Sequence, residues 1–486
     1  LRLVGEFGMI VALVRPCCVV GGLRAYQRRR DENYGGFVMG KGGKTNSRRD
    51  FLRAGLGAAA AFTIVPRHVL GAGRTAPSDK LNIACIGIGG RGGASVGACS
   101  RENIVALCDV DENKAGGQFD KFPKAKKYHD FRKMLDEMDK QIDAVTVATP
   151  DHTHAVASMN AIRRGKHVFC EKPLAHSIYE IRELMKAARE HKVVTQLGNQ
   201  GHSSDTIRMF CEWIWDGAIG NVHEVHAGCT ADHCKINQLS RRGDKHEIPS
   251  TLDWDLWLGP AKRRQYNPMY LPGSWRGWLP FGSGTIGDWV CHVVDPVFWA
   301  LDLGAPKTIQ AQADGYDPKE HADTFPHGSV ITFEFAAKSK RGPVKLLWHS
   351  GRNRIPRPPE LGEGRKLQET GAIVIGDKGK IMYGSHGAGG VRIIPEAKMQ
   401  AYKRPDQTLR RVRGHHNDWL DSIKNGKQAG SNFDYGGPLT ELARLGIIAM
   451  QLLGQKLEWD GKNMRFTNSA EANELVNPPS RKGWEL

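Results

Sequence analysis

The sequence has no CxxC pair, and outside the doublet Cys17-Cys18 the closest of its ten cysteines are Cys229 and Cys234. That spacing argues against a zinc ribbon or a disulfide scaffold, and cysteines set in apolar runs such as 83–86 and 168–170 read as small buried thiols. There is also no Lys/Arg block interleaved with aromatics. Of the formal charge of +17, residues 1–80 carry +9, from 14 Lys and Arg against 5 Asp and Glu. The small excess left for the rest of the chain argues against a nucleic-acid partner. No apolar run reaches membrane-spanning length, the run at 54–65 being 12 residues, so no stable membrane insertion is expected. The 57 Gly and 24 Pro are dispersed rather than periodic, which excludes collagen-like and low-complexity chains. What is present is globular: 486 residues, 40% hydrophobic and 25% charged, too long for one core and so divided into domains.

Residues 1–80 read as an upstream extension, a signal and a linker. From Met39 the chain runs through Lys41, Lys44 and Ser47-Arg48-Arg49-Asp50-Phe51-Leu52-Arg53 into the apolar run and then Gly71-Ala72-Gly73. A charged start, a short apolar middle and small residues after it are the parts of an export signal, and the Arg pair before Phe51-Leu52 marks the twin-arginine type. The protein is therefore expected to be exported by that route, to the periplasm or another extracytoplasmic space. Residues 1–38 precede a Met that would start a normal signal and are expected to be an over-extended gene start.

The next segment predicts a Rossmann-type domain over 81–205. An apolar strand at 81–86 leads into Gly87-Ile88-Gly89-Gly90-Arg91-Gly92 and a small-residue helix. Gly87 permits the tight turn, Gly89 lets backbone approach a pyrophosphate, Gly92 lets helix pack on strand, and the helix N-terminus faces phosphate charge. The strand at 103–109 ends in Asp109, 22 residues after Gly87, where a carboxylate accepts hydrogen bonds from an adenosine ribose. This predicts NAD, while Arg91 and Lys114 leave NADP open. Strands at 142–149, 167–170 and 193–197 alternate with helices at 155–165 and 177–191, the pattern of a parallel sheet covered on both faces. Functional residues are then expected at two strand ends, 149–154 and 171–173.

Residues 206–486 predict a C-terminal α+β domain with a mostly antiparallel open sheet. Strands are expected at 221–229, 329–335, 344–348 and 371–375, and helices at 206–216, 415–424 and 438–453. Six of the twelve tryptophans lie between 254 and 299. Most belong to a core, but Trp275 beside Arg276 suits a sugar, a flat ring for its face and a guanidinium for its hydroxyls. Asp288 and His292, four apart, share one face of a helix. Neither the His152/His154 pair nor His415-His416 has a third acid or Cys at ligand spacing, so no metal is expected.

Taken together, the glycine turn with Asp109, the segments 148–154 and 165–173, and Gly287-Asp288-Trp289-Val290-Cys291-His292 resemble the glucose-fructose oxidoreductase and inositol dehydrogenase family (Gfo/Idh/MocA), over about residues 80–460. The resemblance implies that Thr149, Pro150, His152, His154 and Glu171 lie along the cofactor, with Glu171 near the nicotinamide ribose and a cis bond before Pro173. It implies that Lys172 stands beside nicotinamide and substrate, and that Asp288 flanks His292, the general acid/base. A buried ammonium stabilises developing negative charge, and imidazole titrates near neutrality, so both suit hydride chemistry at a hydroxyl. The expected activity is an NAD(P)-dependent oxidoreductase of a sugar, polyol or glycoside with tightly held cofactor, in a homo-oligomer, a dimer or tetramer. An NAD-assisted glycoside hydrolase or lyase is the alternative, which Lys172 in Glu171-Lys172-Pro173 disfavours; a noncatalytic sugar-binding protein is a third.

Overall fold

The first sheet is parallel because its strands are apolar on both faces. In β1 (Asn82–Ile86) every residue after Asn82 is buried, and β4 (Ala144–Val147) is buried throughout. With β2 (Asn103–Cys108), β3 (Lys126–Tyr128), β5 (His167–Cys170) and β6 (Thr195–Leu197) they form six parallel strands in the order β3-β2-β1-β4-β5-β6. The order reverses between β1 and β4, so the connections after them leave toward opposite faces and open a crevice at the carboxyl ends. The edge strand β3 carries no apolar run, its Lys126 and Lys127 being exposed, and left no strand signal.

The computed structural model describes residues 79–271, 273–338 and 341–486, which belong to one compact unit. The twin-arginine motif and the apolar run at 54–65 lie outside the described residues.

The second sheet has nine strands: β7 (Val222–Cys229), β8 (Thr308–Gln312), β9 (Gly328–Phe335), β10 (Val344–Gly351), β11 (Thr370–Gly376), β12 (Gly379–Gly384), β13 (Gly389–Ile394), β14 (Leu457–Asp460) and β15 (Arg465–Phe466). Their order is β13-β12-β11-β7-β10-β9-β8-β14-β15, and every pairing is antiparallel except the central β7–β10. Along β9, Ile331, Phe333 and Phe335 are buried while Val330, Thr332 and Glu334 are half-exposed, so one face is covered and the other open. The Gly284–Val293 helix lies over β7, β10 and β11, and Phe433–Gln451 over β8 and β9.

The chain's end returns to the first sheet. Trp419 and His416 of the His415–Lys424 helix pack on Phe169 of β5, the imidazole stacked at 4.2 Å. The Phe433–Gln451 helix starts five residues ahead of Pro438, the expected start. Asn432 caps it, accepting from the Asp434 N–H at 3.0 Å, and Pro438, in the second turn, leaves the Asp434 carbonyl without its i→i−4 donor. Gly436 and Gly437 let this turn close on the first lobe: a Cβ at Gly436 would lie 2.8 Å from the Leu197 side chain.

Candidate active site

A cavity of about 690 Å³ runs from the glycine turn to the Gly284–Val293 helix. At one end Gly87, at φ +73°, turns so tightly that a Cβ would lie 2.8 Å from the backbone of Ala148 and Thr149. A Cβ at Gly92 would lie 1.8 Å from the Gly87 carbonyl oxygen, so only glycine lets the Arg91–Ala98 helix pack there. Gly89 lies against Lys114, whereas Gly90, at φ +50°, has open space where a side chain would be. No side chain caps this helix, and Gly90 and Arg91 at its start line the cavity. A helix N-terminus without a side-chain cap beside a glycine cradle fits the pyrophosphate of a dinucleotide. Ile88 contributes backbone only, its side chain being fully buried in the core.

Asp109 stands just past β2. Its Oδ2 accepts from the N–H groups of Ile88 (2.9 Å) and Gly89 (3.1 Å), and its Oδ1 from Asp111 (3.1 Å). Burial pushes its carboxyl up, and those three N–H groups oppose the shift. Arg91 is paired elsewhere: its Nε donates to Oε1 of buried Glu171 at 2.9 Å. Gly198 leaves room for that carboxylate, since a Cβ there would lie 2.7 Å from Glu171 Cδ. Of the two cations that left NADP open, Arg91 is thus paired with Glu171, while Lys114 lines the cavity beside Asp109, whose carboxylate opposes a 2′-phosphate.

At the other end the charges converge on Asp288. The bond before Pro173 is cis, and Lys172 Nζ reaches across to donate to the Asp288 carbonyl oxygen (2.9 Å) and to its Oδ1. Arg276 Nε donates to the same Oδ1 at 3.2 Å, and His233 Nε2 lies 3.1 Å from Oδ2. Burial alone would raise the Asp288 carboxyl, but Lys172, His233 and Arg276 hold it far below the usual carboxylate range. One turn on, His292 is buried, and its Nδ1 has no hydrogen-bond partner among the described residues. Burial first, then Lys172 and His386, push its imidazole well below the ordinary value, so it is neutral at pH 7. Trp275 is buried, with the Arg276 guanidinium 4.3 Å above its ring, and both line the cavity.

Two predicted cofactor residues behave differently from each other. His154 is fully buried and spans two strand ends, Nε2 to the Thr149 carbonyl at 2.9 Å and Nδ1 to the Pro173 carbonyl at 2.7 Å. Burial would lower it, yet Cys170, Asp151 and the Pro173 carbonyl outweigh that and the imidazole is pushed up to about 9, which suits a ring donating to two carbonyls. Thr149 and Pro150 line the cavity alongside it. His152 does not. Its ring packs against Trp257 (5.3 Å) and Phe281 (5.2 Å), with the nitrogens facing the carbonyls of Phe281 and Trp257. Three residues per turn in the 3-10 turn at Asp151–Thr153 put it about a third of a turn away from Asp151 and Thr153, which line the cavity, and against the wall behind the site, which corrects its assignment to the cofactor.

Three site residues carried no local motif: His233, His386 and Trp484. His386 sits at φ +56° in a tight turn and stacks on His292 with ring centroids 4.2 Å apart. The turn is held from outside, Gly387 O accepting from Ser204 Oγ at 3.1 Å and from Thr206 Oγ1 at 2.5 Å. A neighbouring signal existed, the Gly384-Ser385-His386-Gly387-Ala388-Gly389 run, whose glycines announce an unusual turn. In the adjacent pair, His415 bonds Ser203 and the Leu197 carbonyl, and His416 stacks on Phe169. Away from the cavity lining, Asp232, Cys234 and His327 bring three ligand atoms within 4.8 Å of one another, with the His327 ring already paired to Asp232.

Residues 81–199 match the family described as oxidoreductase family, NAD-binding Rossmann fold, and residues 230–341 and 360–486 match its C-terminal alpha/beta domain. The chain is 29% identical over 167 residues to levoglucosan dehydrogenase of Pseudarthrobacter phenanthrenivorans, covering 34% of each chain. It is 28% identical over 203 residues to glycosyl hydrolase family 109 protein 2 of Akkermansia muciniphila, covering 37% of this chain and 42% of that one. The match thus spans less than half the length of either relative. Among solved structures, the WlbA dehydrogenase of Bordetella pertussis in complex with NADH and UDP-GlcNAcA shares the fold at a TM-score of 0.55 and 16% identity, over 78% of this chain and 99% of that one.

Proposed function

The chain belongs to the Gfo/Idh/MocA oxidoreductase family, and from that premise we propose that it is an exported NAD-dependent oxidoreductase acting on a sugar, polyol or glycoside hydroxyl. The observation that carries this reading is the convergence of Lys172, Asp288 and His292 in the same cavity as the glycine cradle. Bound NAD supplies the acceptor or donor of the hydride. Lys172 holds the substrate oxygen and stabilises the charge that develops on it. His292, neutral and with Nδ1 unpartnered, takes the hydroxyl proton in oxidation and returns it in reduction. Asp288 keeps Lys172, Arg276 and His233 gathered at one point, and Arg276 with Trp275 offers the sugar a hydrogen-bonding and a flat apolar surface. The name of the levoglucosan relative supports a carbohydrate substrate.

Export rests on the twin-arginine motif and makes the protein extracytoplasmic, where no nicotinamide pool exists. The cofactor is therefore carried out bound and recycled by a second half-reaction. The open face of the second sheet is the surface through which a homo-oligomer would assemble. Replacing Arg48 and Arg49 by Lys should trap the precursor in the cytoplasm; unaltered export would remove this part of the reading.

The deciding experiment identifies the cofactor released from purified protein by mass and absorbance, then follows a sugar panel at the reduced-nicotinamide band together with product analysis. Retained NAD(H) that cycles with a sugar or polyol is the expected result. Bond cleavage with no net redox change would move the assignment to the hydrolase or lyase that the glycosyl hydrolase relative represents. Binding without turnover would leave a sugar-binding protein, and absence of nicotinamide would overturn the reading.

A further inference from the structure

The last residues of the chain turn back across the cavity. Arg481 is fastened beside the Trp254–Leu258 helix: its backbone N–H donates to the Pro260 carbonyl at 2.9 Å and its guanidinium to Asp255 Oδ1 at 2.7 Å. The Trp484 N–H donates to the Arg481 carbonyl at 3.0 Å, so the position of the indole follows from that anchor. On the first-lobe side the ring meets Phe131 edge-on, centroids 6.1 Å apart, and has the Arg132 guanidinium 4.2 Å over it. On the other side a Cβ at Gly259 would lie 3.6 Å from it. Trp484 is only 7% exposed, yet it lines the cavity.

Asp109, Asp111, His129 and Phe131 line the same cavity, and all four lie on the connections after β2 and β3. On the NAD reading this is the adenosine end, where Asp109, the acid just past β2, would meet the adenosine ribose. We propose that Trp484 forms the adenine wall of the site, and that the C-terminal segment, anchored through Arg481 and Asp255, sets how long the dinucleotide is held. The inference rests on the NAD reading above. The Arg481 guanidinium also lies over the ring, at 5.4 Å, so the indole would offer a purine only the part of its surface that the two guanidinium groups leave to the cavity, and one base–aromatic stack is worth about tenfold or more in affinity. The segment touches both lobes, so release of the adenosine half requires its displacement as well as loss of the stack.

The test is the rate at which NADH-loaded full-length protein releases its cofactor into excess NAD, followed by NADH fluorescence. Trp484→Ala should speed release about tenfold or more, and Trp484→Phe should stay near the wild type. Asp255→Ala, which loosens the anchor without touching the ring, should also speed release. Affinity for reduced nicotinamide mononucleotide, which lacks adenosine, should be unchanged in all three variants. Release from Trp484→Ala at the wild-type rate would overturn the inference, as would an equal loss of affinity for the mononucleotide. A wild-type protein that holds no NADH would instead remove the NAD reading itself.

Discussion

His292 is set by its neighbours. Burial, Lys172 and His386 push its imidazole down, while Asp288 pulls it up. A base must be neutral to accept a proton, so activity in the oxidising direction should fall only as pH drops through this lowered value, well under 6.5. His386→Ala removes one of the groups pushing down and should move that acid limb to higher pH. Asp288→Asn removes the carboxylate pulling up and should move it lower, with a fall in kcat as Lys172 and Arg276 lose their common partner. His292→Ala should lower kcat by about 10²–10⁴-fold. Profiles of kcat against pH for the three variants, on whichever sugar or polyol turns over, check the order; limbs that coincide with the wild type would show that His292 is not the titrating base. Lys172→Ala should abolish turnover while NADH binding, measured by fluorescence, stays largely intact.

The Arg91–Ala98 helix contains three glycines with different obligations. A Cβ at Gly92 would meet the Gly87 carbonyl oxygen at 1.8 Å, whereas at Gly97 it would meet nothing within 4 Å. Gly92→Ala should therefore cost at least about 1–3 kcal/mol and weaken NADH binding. Gly97→Ala, in the same helix, should leave binding alone and stabilise by about 0.5–1 kcal/mol; urea unfolding of the pair separates packing from propensity. This contrast marks what was legible in the sequence. The strand, glycine turn and helix announce themselves because each residue type has one physical task there, and Asp109, Lys172, Asp288 and His292 fall at strand ends or helix spacing that could be read in advance. The edge strand β3 was silent because Lys126 and Lys127 need no apolar pattern on an exposed edge. His233, His386 and Trp484 were silent for another reason. His386 and Trp484 are brought to the cavity, and His233 to Asp288 at its edge, by tertiary contacts from far along the chain, and a lone His or Trp looks the same in sequence wherever the fold takes it.

At the scale of the molecule, charged groups hold distant segments together. Arg182 on the Ile178–Glu190 helix donates to Glu441 on Phe433–Gln451 through Nε at 2.6 Å and a terminal nitrogen at 2.8 Å, joining residues 259 apart. Glu212 does the same for the coil before His415: its carboxylate accepts from the Thr408 (2.8 Å) and Leu409 (3.0 Å) N–H groups and from both terminal nitrogens of Arg411, at 2.6 and 2.7 Å. The Arg411 bonds lead, and with the backbone N–H groups they outweigh burial and hold the carboxyl at about 2, against 4.5 for the free side chain. A carboxyl held down in the folded state stabilises it above the unfolded value and loses that contribution as pH falls toward the folded one. Glu212 should thus contribute fully above pH 4.5 and progressively less between 4.5 and about 2. Its side chain is 4% exposed but that of Arg411 is 21% exposed, so solvent screens part of the interaction and the contribution is on the order of 1–3 kcal/mol. Glu212→Gln should accordingly lower the urea midpoint at pH 7, and the gap to the wild type should narrow as both are acidified below pH 4.5. A gap that stayed constant down to pH 3 would mean that packing of the side chain, rather than its charge, ties the coil to the helix.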